Sequence, residues 1–462
     1  MHFIFELAYL SQKDWLYGYN SQKFYQLYQS YSQQFIATNN PRLTILLAEG
    51  NPIKFLAIFL AAVRVKSCLF LANPDWKTNE WQQVFSLVQP DYIFGENIEV
   101  FNYNSPPVNP VTNSLMIPTG GTSGKIRFAI HNWLTLTASV KGFSEYFQVK
   151  QVNSFCLLPL YHVSGLMQFL RSFLTGGNFA VIPYHKIKQK RINNLNLQDY
   201  FISLVPTQLQ FFLENDPRWL ANFKTVLLGG SPAWPSLLEK AREYNISLSP
   251  TYGMTETASQ IVTLKPEDFR RGNNSNGQLL PHAQIKINPD KQKIIIEAES
   301  LFLGYYPHLN QVSYFETDDL GYFDESSYLY IIGRDSQKII TGGENVYPFE
   351  VETAIRQTNL VKDVVVLGLP DSRWGQVIVA FYVPVNSQIC QTIIQSQIKD
   401  KLVNYKLPKH WIKLPEIPKS PQGKINRTNL IKLAETFFDT ESNPGRYLIV
   451  VILMVIYEVF LN

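Results

Sequence analysis

The chain has few cysteines: three in 462 residues, Cys68, Cys156 and Cys390, far apart and with no CxxC pair. That spacing builds neither a disulfide framework nor a zinc site and points to a reducing compartment. Excess charge is scarce as well. Forty-one Lys and Arg against 37 Asp and Glu leave a net +4, too small a surplus on so large a surface to mark a nucleic-acid binder. Charged residues make up 17% of the chain against 45% apolar and 14% aromatic, a balance that excludes intrinsic disorder. The opening residues, MHFIFELAYLSQKDWLYGYN, lack a continuous apolar h-region, so no export signal is expected and the chain reads as cytoplasmic. Long apolar runs are missing except at residues 447–461, YLIVVILMVIYEVFL. A helix of that length reaches about 22 Å, short of the ~30 Å hydrocarbon core. Three readings of it stay open: a marginal anchor giving peripheral membrane contact, a buried or self-associating segment, or an appendage with no role in the fold.

Length alone predicts two or three domains. From about 40 to 335 short apolar runs alternate with helical patterns, the signature of βαβ layering. Strands are expected at 43–48, 67–72, 178–183, 201–206 and 225–230. Helices are expected at IKFLAIFLAAVRV (53–65) and at WPSLLEKAREYN, where Leu237, Leu238 and Ala241 form the apolar stripe. Near GRDSQK (333–338) the pattern changes to β-rich text, then one helix (EVETAIRQ) and two strands (DVVVLGLP, VIVAFYVP). The expected fold is α/β, a large multi-layer N-terminal domain of mixed sheets and helices (1–334) followed by a small mobile α+β domain (335–440), with a polar linker and apolar tail (441–462).

Four segments carry chemistry. LMIPTGGTSGKIRFAIHN (115–132) sets a Gly, Ser and Thr-rich loop between two apolar strands. Such a loop is either a plain turn or a phosphate cradle, because glycine lets successive N–H groups converge and hydroxyls add donors; it is not a Walker A loop. SLSPTYGMTETASQ (247–260) places Thr255 and Glu256 at the expected start of a helix. That pair is either a capping box or a hydroxyl for a phosphate and a carboxylate for Mg²⁺. FETDDLGYFD with IIGRDSQKIITGGENVYPFEVE (315–352) offers Asp319 for a ribose diol and Arg334 for nucleotide oxygens, and PKSPQGKINRTNL (418–430) frames Lys424 with Pro and Gly.

In their order TGGTSGK, TYGMTE, ETDDLG, GRDSQKIITGGENVYPFEVE and PQGKINR, these segments resemble the adenylate-forming enzymes, the family of acyl-CoA synthetases, luciferases and carrier-loading adenylation domains. PLYHVSGL (159–166), SLVPTQLQ (203–210) and YGMTETASQIVTLKPEDF (252–269) are most similar to the branch that activates o-succinylbenzoate for menaquinone and phylloquinone synthesis. The alternative is a CoA ligase for another aryl or fatty acid. The resemblance implies ATP, Mg²⁺ and CoA as reactants. It implies that Thr119, Gly120, Gly121, Thr122, Ser123 and Gly124 hold the β- and γ-phosphates, with Ser231, Gly253 and Arg334 around the nucleotide. It implies further that Tyr252 stacks on adenine, Thr255 meets the α-phosphate, Glu256 binds Mg²⁺ and Asp319 takes the ribose, and that Lys424 is the adenylation lysine, Asp335 the hinge, and Gly342 and Gly343 the CoA path.

The chain departs from the family pattern in two places: Ile126 and Arg127 stand where Pro and Lys are usual, and Asp318 where Gly precedes the ribose Asp. For the acyl substrate, the expected contacts are His162, which gates the pocket or orients the reacting carboxylate unless it is structural, Ser164, Arg171 and Gly230. Ser164, Gln168 and Arg171 fall at i, i+4 and i+7, one face of an otherwise apolar helix. A buried arginine there needs an anion, either a structural carboxylate or the second carboxylate of the substrate.

Overall fold

The apolar runs at 43–48 and 67–72 form β1 (Thr44–Leu47) and β2 (Cys68–Leu71), buried throughout, as parallel strands covered on both faces must be. The computed structural model describes residues 13–101, 111–120, 125–182, 184–187, 195–309, 313–419 and 425–441. With β3 (Tyr92–Phe94), β4 (Ser114–Gly120) and β5 (Ile126–His131) these strands make a sheet of order β3-β1-β2-β4-β5, parallel except for β5, which runs antiparallel to β4. Helix α1 (Pro52–Arg64) crosses from β1 to β2. The Asn51 side chain caps it at the Ile53 and Lys54 amides, Pro52 fills the first turn, and its residues are buried nearly all round, which is why its sequence is apolar on every face.

A second sheet holds β6 (Asn153–Cys156), β7 (Phe179–Val181), β8 (Tyr200–Leu204), β9 (Thr225–Leu228), β10 (Leu248–Met254), β11 (Ser259–Thr263) and β12 (Gln278–Leu279), in the order β12-β11-β10-β9-β8-β6-β7. Its strands are parallel up to β10, and β11 and β12 then run antiparallel. Helices α2 (Trp133–Phe147) and α3 (Val163–Leu174) pack on each other and on β11. Helix α4 (Pro235–Glu243) buries Leu237, Leu238 and Ala241, the predicted stripe.

The βαβ alternation stops earlier than expected. No helix lies among the described residues of 278–334; the chain instead forms a third sheet, β13 (Ala283–Ile287), β14 (Lys293–Ala298), β15 (Phe315–Phe323) and β16 (Leu329–Arg334), in that order. The alternating burial of β13 and β14 marks strands with one face on the core, a period-2 pattern.

The chain divides into two compact units, one of Met1–Ala233, Leu237–Thr317 and Gly321–Ile331, the other of Trp234–Ser236, Asp318–Leu320 and Ile332–Asn462. In the second, β17 (Ile339–Thr341), β18 (Glu344–Val346), β19 (Val361–Asp371), β20 (Gly375–Pro384) and β21 (His410–Lys413) form a sheet of order β18-β17-β20-β19 with β21 on β20. Helix α5 (Pro348–Arg356) packs on β19. The three cysteines are free. Among the described residues no helix is long and apolar enough to cross a membrane; the 447–461 segment lies outside them.

Candidate active site

Thr119 and Gly120 end β4, and across the antiparallel pair they face Arg127 and Ile126 of β5. Gly121, Thr122, Ser123 and Gly124, the rest of the predicted phosphate loop, lie outside the described residues. The departure at Ile126 has a local reason. Its N–H donates to Gln83 Oε1 at 2.9 Å, a bond that proline cannot make.

On its other edge β5 pairs with the 303–306 segment. Ile130 N–H donates to the Gly304 carbonyl and Tyr306 N–H to that of Phe128, and Ala129 bridges Tyr305. This register sets the Tyr305 ring beneath Arg127, whose guanidinium carbon lies 4.3 Å from the ring centroid. The Tyr305 hydroxyl donates to Glu256 Oε1 at 2.6 Å. Burial first, then the Glu256 charge, pushes this phenol well above the usual tyrosine range, so it remains a donor. A chain of contacts thus runs from the strand beside Thr119 to Glu256.

Thr255 and Glu256 do not begin an α-helix as expected. They lie in a single 3₁₀ turn, Thr255–Thr257, between β10 and β11. Of the two readings of this pair, the capping box is not formed by Thr255; it is the Thr257 hydroxyl that accepts from Met254 N–H, at 3.0 Å. Ala258 and Ser259 follow at φ +48° and +91°, conformations that L-residues adopt only when their surroundings over-determine them. Those surroundings bond every carbonyl of the turn. His131 Nε2 donates to Thr255 O at 2.8 Å, Phe302 N–H to Glu256 O at 2.8 Å, Ser300 Oγ to Thr257 O at 2.9 Å and Ser139 Oγ to Ala258 O at 2.7 Å. Full burial pushes His131 down to about 4. The ring is therefore neutral, and with Nε2 protonated its Nδ1 is left as an acceptor facing Thr135 Oγ1 at 3.0 Å.

Glu256 is only 7% exposed, and no described ion pair includes it. A buried carboxylate calls for a cation, and Mg²⁺ is typically held by one or two carboxylates plus substrate phosphates. The site fits that ion, although no cluster of three or more His, Cys, Asp or Glu among the described residues could hold a metal unaided. Tyr252 is buried in the cluster around Ile261, Val262 and Phe302. Beside it Gly253 is required sterically: a Cβ there would lie 2.2 Å from the Ser259 carbonyl oxygen. Gly230 and Ser231 follow β9 in an exposed bend, Gly230 at φ +85°, so the strand ends two residues before the expected 230.

His162 takes the N-cap position of α3, Ser164 lies in its first turn, and Gln168 and Arg171 are buried one and two turns on. Arg171 is 2% exposed. Its guanidinium stacks on Phe143 at 4.2 Å, and Nη2 donates to Ser259 Oγ at 3.0 Å and Gln260 Oε1 at 3.2 Å. Nε has no partner, and no described carboxylate pairs with it. Burial pushes the guanidinium down to about 9. His282 adjoins it, both ring nitrogens buried and unpartnered, held near 4 by burial and then by the Arg171 charge.

The remaining residues belong to the second unit. Asp319 on β15 accepts from Arg334 Nε at 3.0 Å. Asp318 lies within the strand rather than in a turn and accepts from Ser336 N–H at 3.1 Å and from its hydroxyl. Asp335 opens a 3₁₀ turn and pairs with Lys338 at 3.0 Å. Gly342 and Gly343, at φ +59° and +86°, make the two-residue hairpin turn between β17 and β18, where a left-handed pair matches the strand twist. Lys424 lies outside the described residues; on either side Lys419 and Ile425 pair in an antiparallel bridge.

His131, Tyr305, His282, Ser139 and Ser300 escaped sequence reasoning. Each is placed by neighbours that are distant in the chain: a bonded partner for the first two and the serines, and the Arg171 charge for His282. The one local signal was the Arg127 departure, whose stacking partner is Tyr305.

Profiles of the AMP-binding enzyme family and its C-terminal domain match residues 98–306 and 350–424. A 2-succinylbenzoate–CoA ligase of Listeria monocytogenes is 32% identical over 401 residues, 84% of this chain and 83% of that protein. One of Enterococcus faecalis is 36% identical over 66% of this chain and 67% of its own length. The fold matches o-succinylbenzoate CoA synthetase of Bacillus subtilis in complex with the acyl-adenylate OSB-AMP, with a TM-score of 0.79 and 24% identity over 93% of this chain and 97% of that one.

Proposed function

The chain belongs to the AMP-binding enzyme family, and we infer that it is an AMP-forming acid–thiol ligase. It joins 2-succinylbenzoate to the α-phosphate of ATP, releasing pyrophosphate, and then passes the acyl group to CoA, releasing AMP, as a cytoplasmic step of menaquinone or phylloquinone biosynthesis. Relatives that carry this name along most of their length support the assignment.

Arg171 carries the choice of acid. A structural carboxylate was the other reading of this residue, and none is found beside it among the described residues. A buried cation with an unbonded Nε suits the second carboxylate of a dicarboxylic aromatic acid; a fatty acid would leave it unmatched.

In this reading the loop that follows Thr119 and Gly120 takes the β- and γ-phosphates, Thr255 the α-phosphate and Glu256 the metal, while Asp319 and Arg334 take the ribose and nucleotide oxygens. Bound Mg²⁺ supplies charge neutralisation at the phosphates. Lys424 places a second positive charge where the attacked α-phosphate and the incoming carboxylate gather negative charge. His162 orients that carboxylate beside Ser164 and Gly230. The small domain of residues 335–440 pivots at Asp335 between the half-reactions, bringing Gly342 and Gly343 to the pantetheine. Pyrophosphate release across a panel of carboxylic acids, with and without CoA, tests the assignment. The expected result is adenylation selective for 2-succinylbenzoate and a CoA-dependent thioester; turnover of a fatty acid at an equal or greater rate would transfer it to another acyl-CoA ligase.

A further inference from the structure

Glu256 has two oxygens, and the structure assigns one of them a fixed partner. The Tyr305 hydroxyl holds Oε1 at 2.6 Å, and the Tyr305 ring is pinned from two directions, by the bridge to Ala129 and by the Arg127 guanidinium 4.3 Å above it. A glutamate side chain has three rotatable bonds, and a metal ligand with that freedom has to be immobilised on each binding event. We propose that Tyr305 is a positioning residue: it orients the Glu256 carboxylate so that its other oxygen meets the metal of Mg·ATP, with Arg127 clamping the tyrosine ring. This rests on the reading of Glu256 as the metal-binding carboxylate and goes beyond it. It also accounts for arginine at 127. A flat guanidinium stacks on a ring face, whereas an ammonium is a point charge.

Tyr305→Phe removes the hydroxyl and keeps the ring, its packing and the arginine stack. Partners that orient a metal ligand are typically worth roughly 10–100-fold in metal affinity. Titrating Mn²⁺·ATP into the full-length variant, followed by the Mn²⁺ electron paramagnetic resonance signal, should therefore show at least tenfold weaker binding. The Mg²⁺ concentration for half-maximal pyrophosphate release should rise in parallel. Thioester formation from supplied acyl-adenylate and CoA, which consumes no ATP, should stay within twofold of wild type. In a Glu256→Gln background Tyr305→Phe should weaken Mn²⁺·ATP binding no further, and Arg127→Lys alone should weaken it a few-fold.

Unchanged Mn²⁺·ATP affinity in Tyr305→Phe, or an equal further loss in the Glu256→Gln background, overturns the proposal. Equal loss of both half-reactions without a metal shift makes Tyr305 structural and overturns it too. If Glu256→Gln binds Mn²⁺·ATP as tightly as wild type, the premise falls and the proposal with it. The titration contains no acyl substrate, so an error about the acid cannot produce any of these outcomes.

Discussion

Arginine 171 and histidine 282 are buried together, and both have nitrogens that no protein group satisfies. For Arg171, replacement by alanine should leave the second substrate carboxylate unpaired, a loss of about 3–5 kcal/mol. At ~1.4 kcal/mol per decade this is roughly a hundred- to several-thousand-fold in kcat/KM. An analogue with hydrogen in place of that carboxylate should be poor with the wild type and hardly worse with Arg171→Ala; equal losses for both acids would make the arginine structural. His282 predicts a stability effect. Its folded value, about 4, lies below its ordinary 6.5, so the unfolded chain binds the proton first on acidification. The stability from keeping it neutral is complete above pH 6.5 and is lost as the pH falls toward 4, at up to ~1.4 kcal/mol per pH unit. Urea denaturation at pH 7 and pH 5 should show a smaller drop for His282→Gln than for the wild type.

Helix α2 poses a question of sign. Glycine inside a helix is ordinarily worse than alanine by ~0.5–1 kcal/mol, so Gly142→Ala would be expected to stabilise. A Cβ at that position would lie 1.8 Å from His282 Nδ1, and overpacking of this kind typically costs about 1–3 kcal/mol. The substitution should lower the urea midpoint; a rise would show that His282 can move aside. This is also the scale at which the sequence stopped being legible. Strands β1, β2, β7, β8 and β9 and helices α1 and α4 could be read from short apolar runs and helical patterns, because the length of an apolar run and the stripe of a helix are local features of the chain. The third sheet and the 3₁₀ turn at Thr255 could not, since an apolar run does not state which strand it pairs with or in which direction. Within the site, Thr119, Thr255, Glu256 and Arg171 stood out by residue type and spacing. His131 and Tyr305 did not, because what defines them is a bond to a residue more than a hundred positions away or, for Tyr305, nearly fifty.

For the whole molecule, the proposed function predicts that the two half-reactions depend on different residues. Lys424→Ala should lose acyl-adenylate formation by orders of magnitude and still convert supplied acyl-adenylate and CoA to thioester; equal loss of both steps, measured as pyrophosphate and thioester release, would reject that division. The turn at 255–258 stands apart from any such rearrangement. Its four carbonyls are bonded by a strand end, a helix, and two positions of one loop, Ser300 and Phe302, so it cannot open without breaking contacts in all of them. The amide hydrogens bonded to it, Ala258 N–H on Thr255 O and Phe302 N–H on Glu256 O, should exchange with solvent only through global unfolding, alongside those of β10. Nucleotide would then meet a surface whose ordering entropy was settled when the chain folded, and calorimetry of ATP binding should find no heat-capacity signature of a loop becoming ordered at this turn.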